Sequence, residues 1–497
     1  MASRFAELAI AACALLACAA CGEKADPAAS ATAGAGGSAG GTALAAAGAS
    51  PSGSGGSSAG AAAGGASAAS DDPDPVLTDS VMTALRALRY DNAAVPPDPS
   101  NKYGDLPAAR TFGQRLFFDR RLSGRLLEGD NDGSPSTLGV KGENEKVSCA
   151  GCHVPQTNFV DTRSPHQQIS LAAQWTRRRT PTLLEVGFAS LYNWDGRRDS
   201  IWAQAIGVFE SVNEYNSSRL FIAQQTYALH RAEYESIFGE MPKLDDAQQF
   251  PPLSGAETGC DEGPVETAAC RGKPGDKADY DGMTPEAQKA VTTVTVNVAK
   301  ALDAYVRQLR CGSGRFDAWL DGDDSALSRS EQRGAALFVG SAKCVSCHSG
   351  PNLTDSKFHN VGLRPATVAV AFTDTDDRGA GEAIPLTIAD PLNSKGSFSD
   401  GDRGKLPSKV DSALEGAFRT PTLRCAANHP SFMHTGQHTS LAMLMRFFNR
   451  GGDPAGFPGT NELEALNLTD REQADLIAFM QTLQGPGPNA SLLAPPP

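Results

Sequence analysis

The sequence predicts a mainly α-helical protein, two helical lobes in one globular unit behind a disordered N-terminal tether. Three observations carry that prediction. Apolar residues recur at three- and four-residue steps over several stretches, while few stretches alternate as strands do. Helix-start signals precede two of those stretches. The pattern C-x-x-C-H occurs twice, at Cys149-Ala150-Gly151-Cys152-His153 and Cys344-Val345-Ser346-Cys347-His348, 195 residues apart, one for each lobe.

Taken in order, residues 8–20 are almost all Ala, Leu, Ile and Cys behind Arg4, an apolar secretory region too short to span a bilayer. It closes on Leu15-Leu16-Ala17-Cys18-Ala19-Ala20-Cys21-Gly22, which resembles a bacterial lipoprotein cleavage site with Cys21 or Cys18 as the lipidated residue. Ordinary signal cleavage nearby is the alternative. The signal is read as 1–21. Residues 22–74, rich in Ala, Gly and Ser and without an aromatic, are a flexible linker that cannot bury a core. The expected location is the periplasm or cell envelope, with a lipid anchor to the membrane.

The lobes are read as 75–315 and 316–490. In 78–90, Met82, Leu85 and Leu88 recur at three-residue steps. In 286–310, Val291, Val294, Val298, Leu302, Tyr305 and Leu309 share one helix face. The Val and Thr residues of that stretch make a poor isolated helix, so packing must hold it. The Gly/Asp-rich stretch 311–327 reads as a junction. Ser328-Arg329-Ser330-Glu331 is a capping box leading toward Cys344, and Thr469-Asp470-Arg471-Glu472 is another, ahead of Leu476, Ile477, Met480 and Leu483.

The C-x-x-C-H stretches supply what covalent attachment of a c-type haem needs. Cys149 and Cys152, or Cys344 and Cys347, add to the haem vinyl groups, and His153 or His348 offers a ring nitrogen to iron. A zinc site would want a second C-x-x-C close by, and a dithiol site has no use for the His. Of the 11 Cys, Cys13, Cys18 and Cys21 lie in the signal and four in the haem motifs. That leaves Cys260, Cys270, Cys311 and Cys425, an even remainder that suggests disulfides in an oxidising compartment. Cys260–Cys270 would staple the insertion 251–283, and Cys311–Cys425 would link the segments around the two haems, but spacing does not fix the connectivity. The net charge of −13 argues against nucleic acid and suits a basic electron-donor protein.

Further motifs resemble the bacterial di-haem cytochrome c peroxidase superfamily, which includes the enzyme that matures methylamine dehydrogenase. They are Phe117-Phe118-Asp119 with Leu122-Ser123, Arg178-Arg179-Thr180-Pro181-Thr182-Leu183 and Trp194-Asp195-Gly196-Arg197, with Gln204 and Glu214 beyond. In the second half they are Phe358-His359-Asn360-Val361-Gly362, Phe418-Arg419-Thr420-Pro421-Thr422-Leu423-Arg424 and Phe432-Met433-His434-Thr435-Gly436. The resemblance covers roughly 83–484. It implies two cytochrome-c-like haem domains, a first, peroxidatic haem and a second that passes electrons. It puts Glu214 over the open face of the first haem as acid/base, Gln204 beside it, and Trp194 between the haems as an electron relay. Trp175, Trp202 and Trp319 lack that context and read as core.

The sequence departs from the family at several points. The family's capping His is replaced by Leu171, with His166 five residues off register, so the first haem is expected to react with peroxide without prior reduction. An Asn that serves a calcium site in the family is Arg179 here, so calcium is not carried over and stays open. Asp130-Asn131-Asp132-Gly133 lacks the distal Glu of a calcium loop and reads as a solvated turn. His230 reads as a surface helix residue, and His359, His429, His434 and His438 as structural. The far ligand of the second haem, Met or Tyr in the family, is Phe448, which has no donor atom. Met445, one turn earlier on the same helix face, is the substitute candidate, with core packing as its alternative.

Three functions are compatible with these residues. The first is a peroxidase reducing hydrogen peroxide with electrons from a small cytochrome c or copper protein. The second is a peroxide-driven oxidase of a partner protein's side chains, and the third a di-haem electron carrier. A carrier has no use for Glu214. A homodimer is a further expectation.

Overall fold

The computed structural model describes residues 73–163, 169–262, 269–364 and 377–497. The expected signal with Cys18 and Cys21, nearly all of the linker, and His166 lie outside these residues. Among the described residues the chain is mostly helical. The helices are α1 (Asp79–Arg86), α2 (Pro107–Phe118), α3 (Cys149–Cys152), α4 (Ile201–Glu210), α5 (Arg219–Phe238), α6 (Pro285–Val306), α7 (Arg315–Leu320), α8 (Arg329–Val339), α9 (Ala380–Ala389), α10 (Leu441–Asn449) and α11 (Asp470–Gln481). Among the described residues, strands form two antiparallel two-residue pairs, β1 (Gly259–Cys260) with β2 (Cys270–Arg271) and β3 (Phe358–His359) with β4 (Phe418–Arg419). No helix of the described residues is long and apolar enough to cross a membrane.

Two apolar clusters dominate the interior. The first is built on α6, which starts at an N-cap Thr284 followed by Pro285, a pairing that satisfies an orphan N–H and presets the first turn. Its predicted face, Val291, Val294, Val298, Leu302 and Tyr305, is fully buried against α2, α4 and α5. Each such burial contributes roughly 1.5–3 kcal/mol. The helix-propensity loss of a β-branched residue is at most about 0.7 kcal/mol, so packing decides. At the α2–α6 crossing a Cβ on Gly113 would lie 1.8 Å from the Ala301 carbonyl oxygen, so only glycine lets the backbones meet.

The second cluster repeats the device. Helix α8 crosses α11 at Gly334, where a Cβ would lie 2.0 Å from the Asp475 carbonyl oxygen. Both helices open with the capping boxes expected from sequence: the Ser328 and Thr469 hydroxyls accept from the Glu331 and Glu472 N–H groups, and those carboxylates accept in return. The chain ends cross over. Leu85 and Leu88, at the N-terminal end, pack into the second cluster, while Leu492 and Leu493 pack against the first. The Cys260–Cys270 and Cys311–Cys425 disulfides are both formed.

Three local readings need correction. His230 is buried rather than on the surface, its Nε2 2.9 Å from Asp119 Oδ2, because α5 turns that face onto the end of α2. The stretch 311–327 is more than a junction: α7 buries Phe316 and Trp319 in the second cluster. The turn 130–133 is only partly solvated, since buried Asn131 donates to the Ala172 carbonyl and Asp130 accepts from Trp175 Nε1. Trp175, Trp202 and Trp319 are core, as expected.

Candidate functional site

The two C-x-x-C-H stretches sit in equivalent surroundings. Backbone turns place each imidazole, and in each turn two residues have positive φ, Asn158 at +58° and Phe159 at +59° in the first, Gly350 at +67° and Leu353 at +50° in the second. His153 Nδ1 lies 3.1 Å from the Phe159 carbonyl oxygen, and His348 Nδ1 lies 2.9 Å from that of Leu353. A carbonyl only accepts, so Nδ1 carries the proton and Nε2 keeps its lone pair. Burial lowers the His153 pKa to about 4 and shifts His348 the same way, so both rings stay neutral, the form that ligates iron.

The repeated R-T-P-T-L words brace these turns. Thr182 Oγ1 donates to the Asn158 carbonyl at 2.6 Å, and Thr422 Oγ1 to that of Asn352 at 2.7 Å. Cys149, Cys152, Cys344 and Cys347 are free thiols, whereas the other four described cysteines are paired. Burial pushes Cys149 up to about 11 and Cys152 and Cys344 to about 12. Paired free thiols beside a neutral His with Nε2 available fit a covalently held haem at each site.

Each motif opens on a cavity. The first, of about 230 Å³, is lined by Cys149, Cys152, His153, Gln204, Glu214 and Trp194 among others. Glu214 lies in the turn after α4, its N–H donating to Ser211 and its carbonyl accepting from Ala173. Burial raises its carboxyl pKa, opposed by Arg197, a Ser211 hydrogen bond and Arg198. Gln204, on α4, accepts at Oε1 from Asn193 Nδ2 at 2.5 Å. Leu171 is buried with Ile169 and Trp175.

The second cavity, of about 630 Å³, is lined by Cys344, Cys347, His348, Met445 and Phe448 among others. Met433 and Met480 line it too, so Met445 is one of three thioethers there. Met433 has a φ of +70°, uncommon for a side-chain-bearing residue.

Trp194 lines both cavities, together with Arg179 and Arg419. Its indole Nε1 donates to the Arg179 carbonyl at 2.7 Å, and its own carbonyl accepts from the Arg419 N–H at 2.7 Å. Beside it, Arg178 forms a buried triad, bidentate to Asp377 and bonded to Asp195. Burial alone lowers the Arg179 pKa to about 10. Sequence reasoning missed Asn193, Asp377 and the standing of Arg179. The first two carry no motif signal of their own, and the position of Arg179 within the R-R-T-P-T-L stretch does not tell that its charge is left unpaired among the described residues.

A mostly helical chain with two C-x-x-C-H cavities sharing one buried Trp defines a di-haem c-type redox protein. Residues 107–325 match the model of the family described as di-haem cytochrome c peroxidase. The chain is 27% identical over 404 residues to the methylamine utilization protein MauG of Methylorubrum extorquens, covering 81% of this chain and 85% of that one. It is 26% identical to the cytochrome-c peroxidase IdrP1 of Denitromonas iodatirespirans, with 78% and 85% covered. The crystal structure of the diheme peroxidase BthA from Burkholderia thailandensis matches with a TM-score of 0.54 at 20% identity, covering 80% and 89%. That likeness speaks for the fold alone. Over residues 107–325 the chain carries the pattern of the di-haem cytochrome c peroxidase family, a family of oxidoreductases with two c-type haems, and it resembles members of that family along most of its length.

Proposed function

We propose that this protein reduces hydrogen peroxide to water at the first site, with electrons delivered by a small redox protein through the second. Its compartment on this reading is the periplasm or cell envelope, reached by the signal at 1–21 and tethered through 22–74. The lobes 75–315 and 316–490 each carry one haem, held by Cys149 and Cys152 or by Cys344 and Cys347, with His153 Nε2 and His348 Nε2 as iron ligands. The haems, when bound, would supply the iron at which peroxide is reduced and would pass on the donor's electrons.

The observation that carries this reading is Glu214, a carboxyl with a raised pKa in the wall of the cavity that holds Cys149, Cys152 and His153. Peroxide cleavage needs a proton taken from one oxygen and returned to the other, and a carboxyl that exchanges protons nearer neutrality does both. The Asn193 bond fixes Gln204 at the same wall and so orients the bound peroxide. Trp194, bordering both cavities, is the path between them.

Glu214→Gln tests this reading. It should keep both haems and slow the peroxide reaction by about 10²–10⁴-fold, the usual worth of a positioned acid/base. An unchanged rate would return Glu214 to a structural role.

Two observations favour a second reading, a peroxide-driven oxidase of a partner's side chains. Phe448 lines the second cavity without a donor atom, and the chain resembles a methylamine utilization protein. Fast steady-state turnover with reduced cytochrome c supports the peroxidase. Slow turnover with a long-lived oxidised state supports the oxidase.

A further inference from the structure

Arg179 is 4% exposed, yet its Nε and Nη2 have no hydrogen-bond partner among the described residues. No carboxylate of the described residues compensates it, in contrast to Arg178 next to it, which binds both Asp195 and Asp377. A buried guanidinium without a counter-charge is costly unless an anion meets it. Arg179 lines both cavities, and its backbone ties them together. Its N–H donates to the His434 carbonyl at 2.7 Å, and its carbonyl accepts from Trp194. His429, which lines the second cavity, is 9% exposed and leaves Nε2 without a partner as well. Arg419, the other cation bordering both cavities, uses Nε on the Asn193 carbonyl at 3.0 Å.

We infer that Arg179 is a shared anion site, its two unpartnered donors taking haem carboxylates and its charge acting on both irons at once. The inference rests on the two-haem reading above. A haem carries carboxylate side chains, and a guanidinium fork matches a carboxylate better than any other side chain does. His429, with Nε2 protonated, completes the site on the second-cavity side. The fixed positive charge favours the ferrous over the ferric state, because reduction lowers the charge of the iron centre. Arg179 therefore holds both reduction potentials up, and it joins the indole between the cavities to the groups that set them.

The test is potentiometric titration of both haems in the full-length protein carrying Arg179→Gln, preceded by pyridine haemochrome counting. With two haems bound, both midpoint potentials should fall, each reduction equilibrium shifting on the order of tenfold, the scale of one charge acting across a few residues in a partly screened interior. Tenfold is 59 mV for a one-electron couple. If neither potential moves, the assignment of Arg179 fails while the cofactor reading stands. If only one moves, the shared site fails. A wild-type haem count below two overturns the cofactor reading and the inference with it. Should Arg179→Gln lose haem, Arg179→Lys carries the test, because it keeps the charge but not the fork. It should move the carboxylate bending bands in the resonance Raman spectrum of both haems, and unmoved bands overturn the inference.

Discussion

The Cys311–Cys425 bridge should be the stronger of the two disulfides. It joins residues 114 apart in sequence, against 10 for Cys260–Cys270. If the bridge acts by restricting the unfolded chain, the loop-closure relation gives about 4.8 kcal/mol for the long loop and about 2.7 kcal/mol for the short one. Thioethers to haem at Cys149 and Cys152 or at Cys344 and Cys347 would not pre-close the long loop, since each pair would tie only a short segment. Cys311 and Cys425 are also wholly buried in the first cluster, so a Cys→Ala pair leaves a small void that adds to the loss. The short bridge has support besides the sulfurs: Asn216 accepts from the Cys260 N–H at 2.7 Å and donates to its carbonyl at 3.1 Å. Each double Cys→Ala protein should be unfolded in urea and followed by far-UV circular dichroism and the haem Soret band. The midpoint should fall further for the Cys311/Cys425 pair, with a steeper slope because the unfolded chain freed of the long loop is less compact. Equal losses, or a larger loss from the Cys260/Cys270 pair, would refute the loop-entropy argument.

Other consequences are measurable in the same way. Arg178→Met leaves Asp377 buried without its cation, while Asp195 keeps Arg197, and should lower stability by about 3–5 kcal/mol, read by urea unfolding; a loss below about 1 kcal/mol contradicts the triad's role. Burial, with Asp98 nearby, raises the Asp303 carboxyl pKa, so the native state binds that proton more tightly than the unfolded chain does. Its contribution is greatest below the ordinary carboxylate range and is lost as pH rises through the raised value. Asp303→Asn should flatten the fall of Tm across that window, and an unaltered slope rejects the assignment. Met445→Ala should abolish a near-infrared sulfur-to-iron band if that thioether ligates the second haem; a band that survives there but vanishes in Met433→Ala assigns the ligand to Met433 instead.

What the sequence made legible was whatever is encoded within a few residues. The C-x-x-C-H stretches, the boxes at Ser328 and Thr469 and the spacing of Val291, Val294 and Val298 each state their chemistry locally, and tertiary packing only has to agree. Composition misled where one or two large apolar residues outweigh many polar ones. The Gly/Asp-rich stretch 311–327 hides Phe316 and Trp319, whose burial makes α7 part of a core. His230 was misread for a different reason: its environment is set by Asp119, 111 residues earlier, and no local pattern says which face of α5 meets α2.

The R-T-P-T-L words fall between these cases. Their repetition marks them as paired parts, but the act they perform is a hydroxyl of Thr182 or Thr422 holding the turn that orients a histidine some thirty or seventy residues earlier. The junction of the cavities is the hardest to read because it is defined by a missing partner. Arg178 and Arg179 are adjacent and chemically identical, yet one is neutralised by two carboxylates from distant segments and the other by none. A difference in counter-charge between neighbouring arginines has no signature in their own spacing, because it depends on where Asp195 and Asp377 arrive. Charge left unbalanced in a dry interior is therefore where coordinates add most to a motif, and here it lies against the one indole that borders both cavities among the described residues.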